Sequence, residues 1–203
     1  MSNDFQGFTV VITGAGSGIG LAVAKKLKAQ GAEVFGLDLH AGELSNVGTW
    51  IQCDIGSDES VTQAFKEISS KVTKIDVLIN NAGIGAQGGV EAATTDEWNK
   101  VLNINVIGTS RVSAAALPLL RKSTDAAIVN TCSVVATVGL PKRAIYSASK
   151  GAILSLTLAM AADLLPEKIR VNCEIQDQSA DCSCSNAASV FTFSGPTTDA
   201  ISR

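Results

Sequence analysis

Histidine is almost absent from this sequence, which has only His40 among its 203 residues. A lone histidine excludes any Ser-His-Asp triad that requires a second histidine and removes most zinc sites, which usually combine histidine with cysteine ligands. Residues of this type prefer the surface, so His40 is predicted to lie in a loop.

Long hydrophobic runs are also missing. The most apolar stretch, Ala152 to Ala162, is shorter than the roughly 20 residues that a membrane-spanning helix needs, and it predicts a buried or interface helix. The segment Met1 to Gly7 is polar and does not resemble a secretory signal. The five cysteines are an odd number and are not expected to form a disulfide framework. We therefore expect a cytoplasmic protein with no membrane partner.

The formal net charge is only −3, which argues against a nucleic-acid partner held by bulk electrostatics. All of this charge falls in residues 174–203, which have four acidic residues and one basic residue. This segment is rich in serine and threonine, and only Val190 to Phe193 is strand-like, which predicts loop or disorder. Cys182 and Cys184, with at most Cys173 added, are too few ligands for a metal site, so no metal is predicted.

The rest of the chain alternates short β-branched runs with longer helical patterns, which is typical of βαβ units and a parallel sheet. The predicted strands are Thr9–Thr13, Glu33–Leu39, Trp50–Cys53, Val77–Asn80, Ala127–Cys132 and Ile169–Cys173. The predicted helices are Ile19–Gln30, Glu59–Ser70, Glu97–Leu120 and Ala144–Leu164, with Asp58 as an N-cap, Gly31 as a C-cap and Pro166 ending the last helix. The predicted fold class is α/β, a doubly wound Rossmann-type parallel sheet, formed by residues 1–173 and followed by the tail 174–203.

A glycine-rich turn follows the first strand and opens the first helix, with the sequence Gly14-Ala15-Gly16-Ser17-Gly18-Ile19-Gly20. Glycine lets the backbone approach a pyrophosphate closely, and the N–H groups at the helix N-terminus bind its charge. Asp38 ends the second strand, where a carboxylate accepts hydrogen bonds from ribose hydroxyls and repels a 2′-phosphate. No Arg or Lys lies between Gly31 and Ile51 to bind that phosphate. The pattern predicts NAD rather than NADP, although Asp38 is also compatible with a solvated carboxylate at a strand end.

Tyr146 and Lys150 stand at i and i+4 and share one helix face. An ammonium beside a phenol stabilises the phenolate, which allows proton transfer near neutral pH. This pair alone is common on amphipathic helices. However, Ser133 ends the fifth strand and Asn81 follows the fourth, and the carboxyl ends of parallel strands share one ligand-binding crevice. Ser133, Asn81 and the glycine turn are therefore predicted to meet there, while Asn81 also suits an ordinary turn.

Asparagine is a poor residue for the interior of a helix, yet Asn103 and Asn105 interrupt an otherwise apolar helical pattern. A kink that holds a water molecule explains them, and so does a pair of hydrogen-bonded amides in the core. The sequence leaves both explanations open.

Taken together, these features resemble the short-chain dehydrogenase/reductase family, in its ordinary single-domain branch, from about Phe8 to Cys173. The motifs that carry the resemblance occur in family order: Thr13-Gly14-x-x-x-Gly18-x-Gly20, Cys53-Asp54-Ile55, Asn80-Asn81-Ala82-Gly83, Asn105-Val106-x-Gly108, Ser133 and Tyr146-x-x-x-Lys150. The thirteen-residue step from Ser133 to Tyr146 is also the family's step.

The resemblance implies an NAD-dependent oxidoreductase that interconverts a secondary alcohol and a ketone. It implies these cofactor-binding residues: Gly14, Ser17, Gly18, Ile19, Gly20, Asp38, Asp54, Ile55, Asn81, Ala82, Gly83, Tyr146 and Lys150. Tyr146 is the implied acid and base, Lys150 assists it, Ser133 binds the substrate carbonyl, and Asn105 holds a water molecule that relays protons to Lys150. The helices Glu97–Leu120 and Ala144–Leu164 commonly pair in this family, so a homodimer or homotetramer is expected.

After Cys173 the sequence departs from the family pattern. Glu174-Ile175-Gln176-Asp177 replaces a Pro-Gly turn, and neither the helical substrate lid nor the seventh strand of the family can be recognised. A frameshift, an alternative splice or a truncation would each produce so abrupt a change. The sixth strand is then expected to be an exposed edge. This leaves a second hypothesis, a catalytically impaired domain that binds NAD or only self-associates; the branch acting on nucleotide sugars is disfavoured by length and glycine spacing.

Overall fold

The computed structural model describes residues 4–176, and these form one six-stranded parallel sheet with helices on both faces. The strands are β1 (Thr9–Thr13), β2 (Glu33–Asp38), β3 (Thr49–Gln52), β4 (Val77–Asn80), β5 (Ala127–Ser133) and β6 (Arg170–Gln176). Their order, β3-β2-β1-β4-β5-β6, reverses direction between β1 and β4 and confirms the predicted doubly wound α/β fold. Within the described residues β6 pairs only with β5, so it is an edge strand.

The sixth strand is longer than predicted. It continues past Cys173, and Glu174, Ile175 and Gln176 pair in register with Thr131, Cys132 and Ser133 of β5. The rest of the predicted tail, including Cys182, Cys184 and the strand-like stretch from Val190 to Phe193, lies outside the described residues.

The helices are α1 (Gly18–Ala29), α2 (Asp58–Lys71), α3 (Thr95–Leu102), α4 (Gly108–Leu120) and α5 (Ala144–Leu164). The prediction of Asp58 as the N-cap of α2 was wrong: the cap is Ser57, whose hydroxyl accepts a hydrogen bond from the Ser60 N–H at 3.2 Å. Asp58 lies instead in the first turn of α2, where its carboxylate pairs with Arg111. His40 is exposed in a bend after β2, as predicted.

The predicted single helix Glu97–Leu120 was also wrong in detail. It begins at Thr95, capped by the Thr94 hydroxyl, and a π-helical turn, Asn103–Ile107, separates α3 from α4. Thr109 donates a hydrogen bond to the Asn105 carbonyl at 2.8 Å and so satisfies an acceptor in this turn. A π turn inserts an extra residue and rotates the side chains that follow, which is why such turns often occur at functional sites.

Helix α5, counted with the short 3₁₀ turn that follows it to Glu167, is long and apolar enough to cross a membrane by length and composition. In this structure it is a helix of the core. It packs against β5 and β6, and it buries Ile153, Thr157 and Leu164 on its sheet-facing side. Packing within the fold therefore accounts for the apolar residues on the sheet-facing side of α5.

A buried carboxylate joins three segments at the end of the sheet opposite the carboxyl ends of the strands. Asp76, whose side chain is 1% exposed, accepts hydrogen bonds from the Thr9 N–H at 2.9 Å, from Lys74 Nζ at 2.7 Å and from the Ser123 hydroxyl at 2.5 Å. Burial acts to raise the pKa of Asp76, but the hydrogen bonds from Lys74, Ser123 and Thr9 outweigh it, so the pKa lies below its ordinary value.

We expect Asp76→Asn to lower the free energy of unfolding by about 2–3 kcal/mol, because an amide cannot accept all three hydrogen bonds and leaves buried donors unpaired. Since the folded-state pKa is depressed, the advantage of the wild type over the variant is present above the unfolded pKa of about 3.9 and is lost as the pH falls through the lower folded value. Urea denaturation of both proteins from pH 3 to pH 7 measures this difference in the free energy of unfolding. Exposed Asp125→Asn is the control, and an equal loss in both variants would contradict the prediction.

Candidate active site

The glycine-rich turn is joined to the end of β4 by a set of short hydrogen bonds. The Thr13 hydroxyl accepts from the N–H groups of Asn81 and Ala82, each at 3.0 Å. The Asn81 side-chain amide donates to the carbonyls of Thr13 and Gly14 at 3.1 and 3.2 Å. These contacts fix the N-terminal end of α1 beside the carboxyl end of β4, at the point where the strand order reverses.

Two glycines allow this close packing. Gly14 has a φ of +67°, and a Cβ there would lie 2.9 Å from both the Ala82 Cα and the side-chain Nδ2 of Asn81. A Cβ at Gly20 would overlap the Gly14 carbonyl oxygen. The turn is therefore an open cradle of backbone groups at the start of a helix, with a geometry suited to a pyrophosphate.

A cleft of about 370 Å³ extends from this turn toward β2 and β3. It is lined by the predicted cofactor residues Gly14, Ser17, Ile19, Asp38, Asp54, Ile55, Asn81, Ala82 and Gly83, together with Leu37, Leu39, Cys53, Ile84 and Ile104. Asp38 lies at its far end, where its carboxylate accepts from the Gly16 N–H at 2.9 Å and from the His40 N–H at 3.3 Å. Gly18 and Gly20 shape the turn and do not line the cleft.

The loop after β3 is held against the π turn. Arg111 of α4 donates to the Ile55 carbonyl at 2.6 Å and pairs with the Asp58 carboxylate. Asn103 of the π turn donates to the Gly56 carbonyl at 3.0 Å. These bonds position Asp54 and Ile55 on the cleft wall, and they account for Asn103 as a hydrogen-bonded amide, one of the two explanations left open by the sequence.

A second cleft of about 200 Å³ adjoins the first. It is lined by Ile19, Asn81, Gly83, Ile84, Gly85, Thr131, Arg143, Tyr146 and Lys150, and four of these residues, Ile19, Asn81, Gly83 and Ile84, also line the larger cleft. One continuous crevice therefore runs from Asp38 past the glycine turn to Tyr146 and Lys150.

Lys150 and Tyr146 lie on the buried face of α5. The Lys150 Nζ is 5.7 Å from the centre of the Tyr146 ring and donates to the Thr131 carbonyl at 2.7 Å. Burial lowers the pKa of Lys150 because the charged form is desolvated, while the nearby Cys132 thiol acts weakly in the opposite direction. A buried ammonium beside a phenol is an arrangement that can move a proton.

Asn105 faces the same region from the π turn. Its side chain accepts from the Ile84 N–H at 2.8 Å and donates to the Ile84 carbonyl at 2.9 Å and to the Ser149 hydroxyl at 3.1 Å. Ser149 in turn donates to the Tyr146 carbonyl at 2.8 Å. Asn105 thus ties the loop after β4 to the first turns of α5, and its role as a water holder stays a prediction.

Ser133 lies at the carboxyl end of β5 and is 1% exposed. Its hydroxyl accepts from the Val135 N–H at 3.5 Å, and it does not line either cleft. Thr131, two positions earlier, does line the smaller cleft. The structure places Ser133 in the strand that forms the cleft wall, and its catalytic role stays a prediction.

Sequence reasoning missed several residues of this site, notably Ile84, Arg111, Thr131 and Arg143. Arg143 carried a usable signal, because it stands three positions before Tyr146 and therefore about one helical turn from it. The contacts of Ile84 and Arg111 join segments that are far apart along the chain, and no local pattern indicates them.

These residues fit a dinucleotide. The glycine cradle has room for a pyrophosphate, Asp38 lines the same crevice, and the crevice extends to Tyr146 and Lys150. The fold and the site together define the class of nucleotide-dependent oxidoreductases built on a doubly wound sheet.

Comparison with known proteins identifies the family within this class. Residues 8–175 match the model of the short chain dehydrogenase family. Over 182 residues the chain is 36% identical to the 2-(S)-hydroxypropyl-CoM dehydrogenase 3 of Xanthobacter autotrophicus, with 85% of this chain and 71% of that protein covered. The chain belongs to the short-chain dehydrogenase/reductase family, as its motifs indicated.

Solved structures of similar proteins have the same fold. The 3-ketoacyl-(acyl-carrier-protein) reductase from Brucella melitensis, complexed with NADH, superposes with a TM-score of 0.81 at 32% identity and covers 85% of this chain and 75% of that one. The gluconate 5-dehydrogenase from Burkholderia cenocepacia, in complex with NADP and tartrate, gives a TM-score of 0.81 at 30% identity, covering 86% and 72%. The family therefore includes proteins that bind either dinucleotide.

Proposed function

We propose that this protein is an NAD-dependent oxidoreductase that interconverts a secondary alcohol and a ketone. The observation that supports this most strongly is the continuous crevice, with the Asp38 carboxylate at one end and the Tyr146–Lys150 pair at the other. Such a crevice holds the two ends of one extended dinucleotide and brings its reactive end to a proton-transferring side chain. When bound, NAD supplies the acceptor for the hydride that leaves the carbinol carbon.

In this proposal the Tyr146 phenolate oxygen takes the proton of the substrate hydroxyl, and the Tyr146 hydroxyl returns it in the reverse reaction. Lys150 stabilises the phenolate form through its positive charge. The Thr131 carbonyl holds the ammonium beside the Tyr146 ring. Burial lowers the pKa of Lys150, but it also strengthens the attraction between the ammonium and the phenolate, because charges attract more strongly where water is excluded.

Ser133 and Asn105 support the same step. We propose that the Ser133 hydroxyl binds the substrate oxygen, where negative charge develops during reduction of a ketone. Asn105 positions α5 through Ser149 and fixes the Ile84 backbone on the cleft wall. Asn105 is also proposed to hold a water molecule on the proton path to Lys150.

NAD is proposed over NADP because of the charges at the far end of the crevice. The Asp38 carboxylate repels a 2′-phosphate and can accept from two ribose hydroxyls. No Arg or Lys is among the residues that line the larger cleft, so nothing there neutralises a phosphate.

Self-association is part of the proposal. Helix α5 exposes Leu158, which is 67% accessible, and Leu165 follows at 57%. An exposed apolar face of this kind is stabilised when a second copy covers it. A homodimer or homotetramer paired through α4 and α5 is the proposed state, and the expected location is cytoplasmic.

Calorimetric titration of the purified chain with NADH and NADPH tests the proposal, followed by NADH oxidation with a panel of ketones in the same sample. We expect binding of NADH in preference to NADPH, and turnover of at least one ketone. Binding without turnover would favour the alternative of a catalytically impaired, NAD-binding domain. A folded protein that binds neither dinucleotide would refute the proposal.

A further inference from the structure

The smaller cleft has an unbalanced charge. Two cationic side chains line it, Arg143 and Lys150, and none of the nine lining residues is a carboxylate. Lys150 is buried, donates to the Thr131 carbonyl and lies beside the Tyr146 ring. In the proposed function its charge stabilises the Tyr146 phenolate. The proposed function gives no role to the charge of Arg143.

Arg143 lies immediately before α5, three positions ahead of Tyr146, and therefore about one helical turn from it. Among the described residues its guanidinium donates one hydrogen bond, from Nη1 to the Ala86 carbonyl at 3.2 Å. Its backbone is also fixed, since it forms a bridge with Gly88. The base of the side chain is thus anchored at the cleft, and Nε and Nη2 remain as donors.

Two of the other arginines are neutralised by ion pairs, whereas Arg170, like Arg143, has none among the described residues. Arg111 pairs with Asp58, and Arg121 pairs with Glu167. Within residues 4–176 no carboxylate lies within 4.0 Å of the Arg143 guanidinium. An unneutralised guanidinium in a cleft concentrates anions there, and its planar fork matches the geometry of a carboxylate, phosphate or sulfonate.

A second polar group at the cleft also lacks a partner. The hydroxyl oxygen of Thr131 is buried, and the residue is 7% exposed, yet among the described residues it makes no hydrogen bond. Buried hydroxyls are nearly always hydrogen-bonded, but this oxygen has less than 1 Å² of accessible surface and is not open to the cleft, so the inference that follows rests on Arg143.

We infer that the substrate of this enzyme carries an oxyanion and that Arg143 binds it. This inference rests on the proposed function, because it concerns the substrate end of the same crevice. The oxyanion and the reacting carbinol belong to one small molecule, since Arg143 and Tyr146 lie one helical turn apart and the cleft has a volume of only about 200 Å³. Arg143 is therefore a specificity-determining residue. It selects small ketones that carry a carboxylate, a phosphate ester or a sulfonate over neutral ketones.

The test compares matched pairs of ligands on the NADH-saturated protein. Levulinate is paired with its methyl ester, dihydroxyacetone phosphate with dihydroxyacetone, and acetonylsulfonate with butanone. Binding is measured by calorimetry and turnover by NADH oxidation. The proteins are the wild type, Arg143→Met, Arg143→Lys and the control Lys142→Met, which removes the adjacent exposed cation that does not line the cleft.

For at least one pair we expect the wild type to bind the anion about 10- to 100-fold more tightly than its neutral partner. Arg143→Met should abolish that preference, Arg143→Lys should restore part of it, and Lys142→Met should retain it. The inference is overturned if no pair shows a preference, or if Lys142→Met loses it as fully as Arg143→Met. Failure of the wild type to bind NADH is a separate result that refutes the proposed function itself.

Discussion

Replacing Tyr146 by phenylalanine is expected to lower kcat by about 10²- to 10⁴-fold, the contribution usually made by a positioned general acid or base. The phenol oxygen is the only group lost, and the ring that lies beside Lys150 is kept. Steady-state NADH oxidation, with a ketone that the wild type turns over, measures the effect.

Binding and stability provide the controls for this variant. Because the aromatic ring still fills its place on α5, the NADH dissociation constant and the midpoint of thermal unfolding should be unchanged. Retained activity would remove Tyr146 from the mechanism. A loss of NADH binding together with activity would show instead that the phenol oxygen serves the cofactor.

Replacing Asp38 by asparagine is expected to reduce the preference for NADH over NADPH by about 100-fold. Asparagine keeps an oxygen that can accept from the Gly16 N–H, so the glycine turn should stay in place. The variant loses the charge that strengthens hydrogen bonds to the ribose hydroxyls and that repels a 2′-phosphate. Calorimetric titration with both dinucleotides measures the two affinities separately.

The control for Asp38 is Glu33→Gln, which removes an exposed carboxylate at the start of the same strand. This variant should bind both dinucleotides as the wild type does. If Glu33→Gln changes the preference as much as Asp38→Asn, general electrostatics rather than a ribose contact explains it. An unchanged preference in Asp38→Asn would contradict the proposed role of Asp38.

Much of the fold and the site was determined by the sequence alone. Short apolar and β-branched runs predicted all six strands, because a strand covered on both faces needs continuous apolar residues. The glycine turn and Asp38 were predicted to lie at the carboxyl ends of β1 and β2 by the ordinary rule for open α/β sheets, and the structure places them there. The spacing of Tyr146 and Lys150 predicted that both would lie on one face of α5, where they are buried together.

Tertiary structure decided the rest. The π turn at Asn103–Ile107 depends on partners that are distant in sequence, since Asn103 binds Gly56 and Asn105 binds Ile84. No helical period in the sequence indicates which extra residue the helix will insert. The sequence places Arg143 near Tyr146, but only the folded structure shows that no described carboxylate lies within 4.0 Å of its guanidinium. Local patterns specify elements and motifs because they act through neighbouring residues, whereas the chemistry of the cleft depends on contacts that form only when the sheet is assembled.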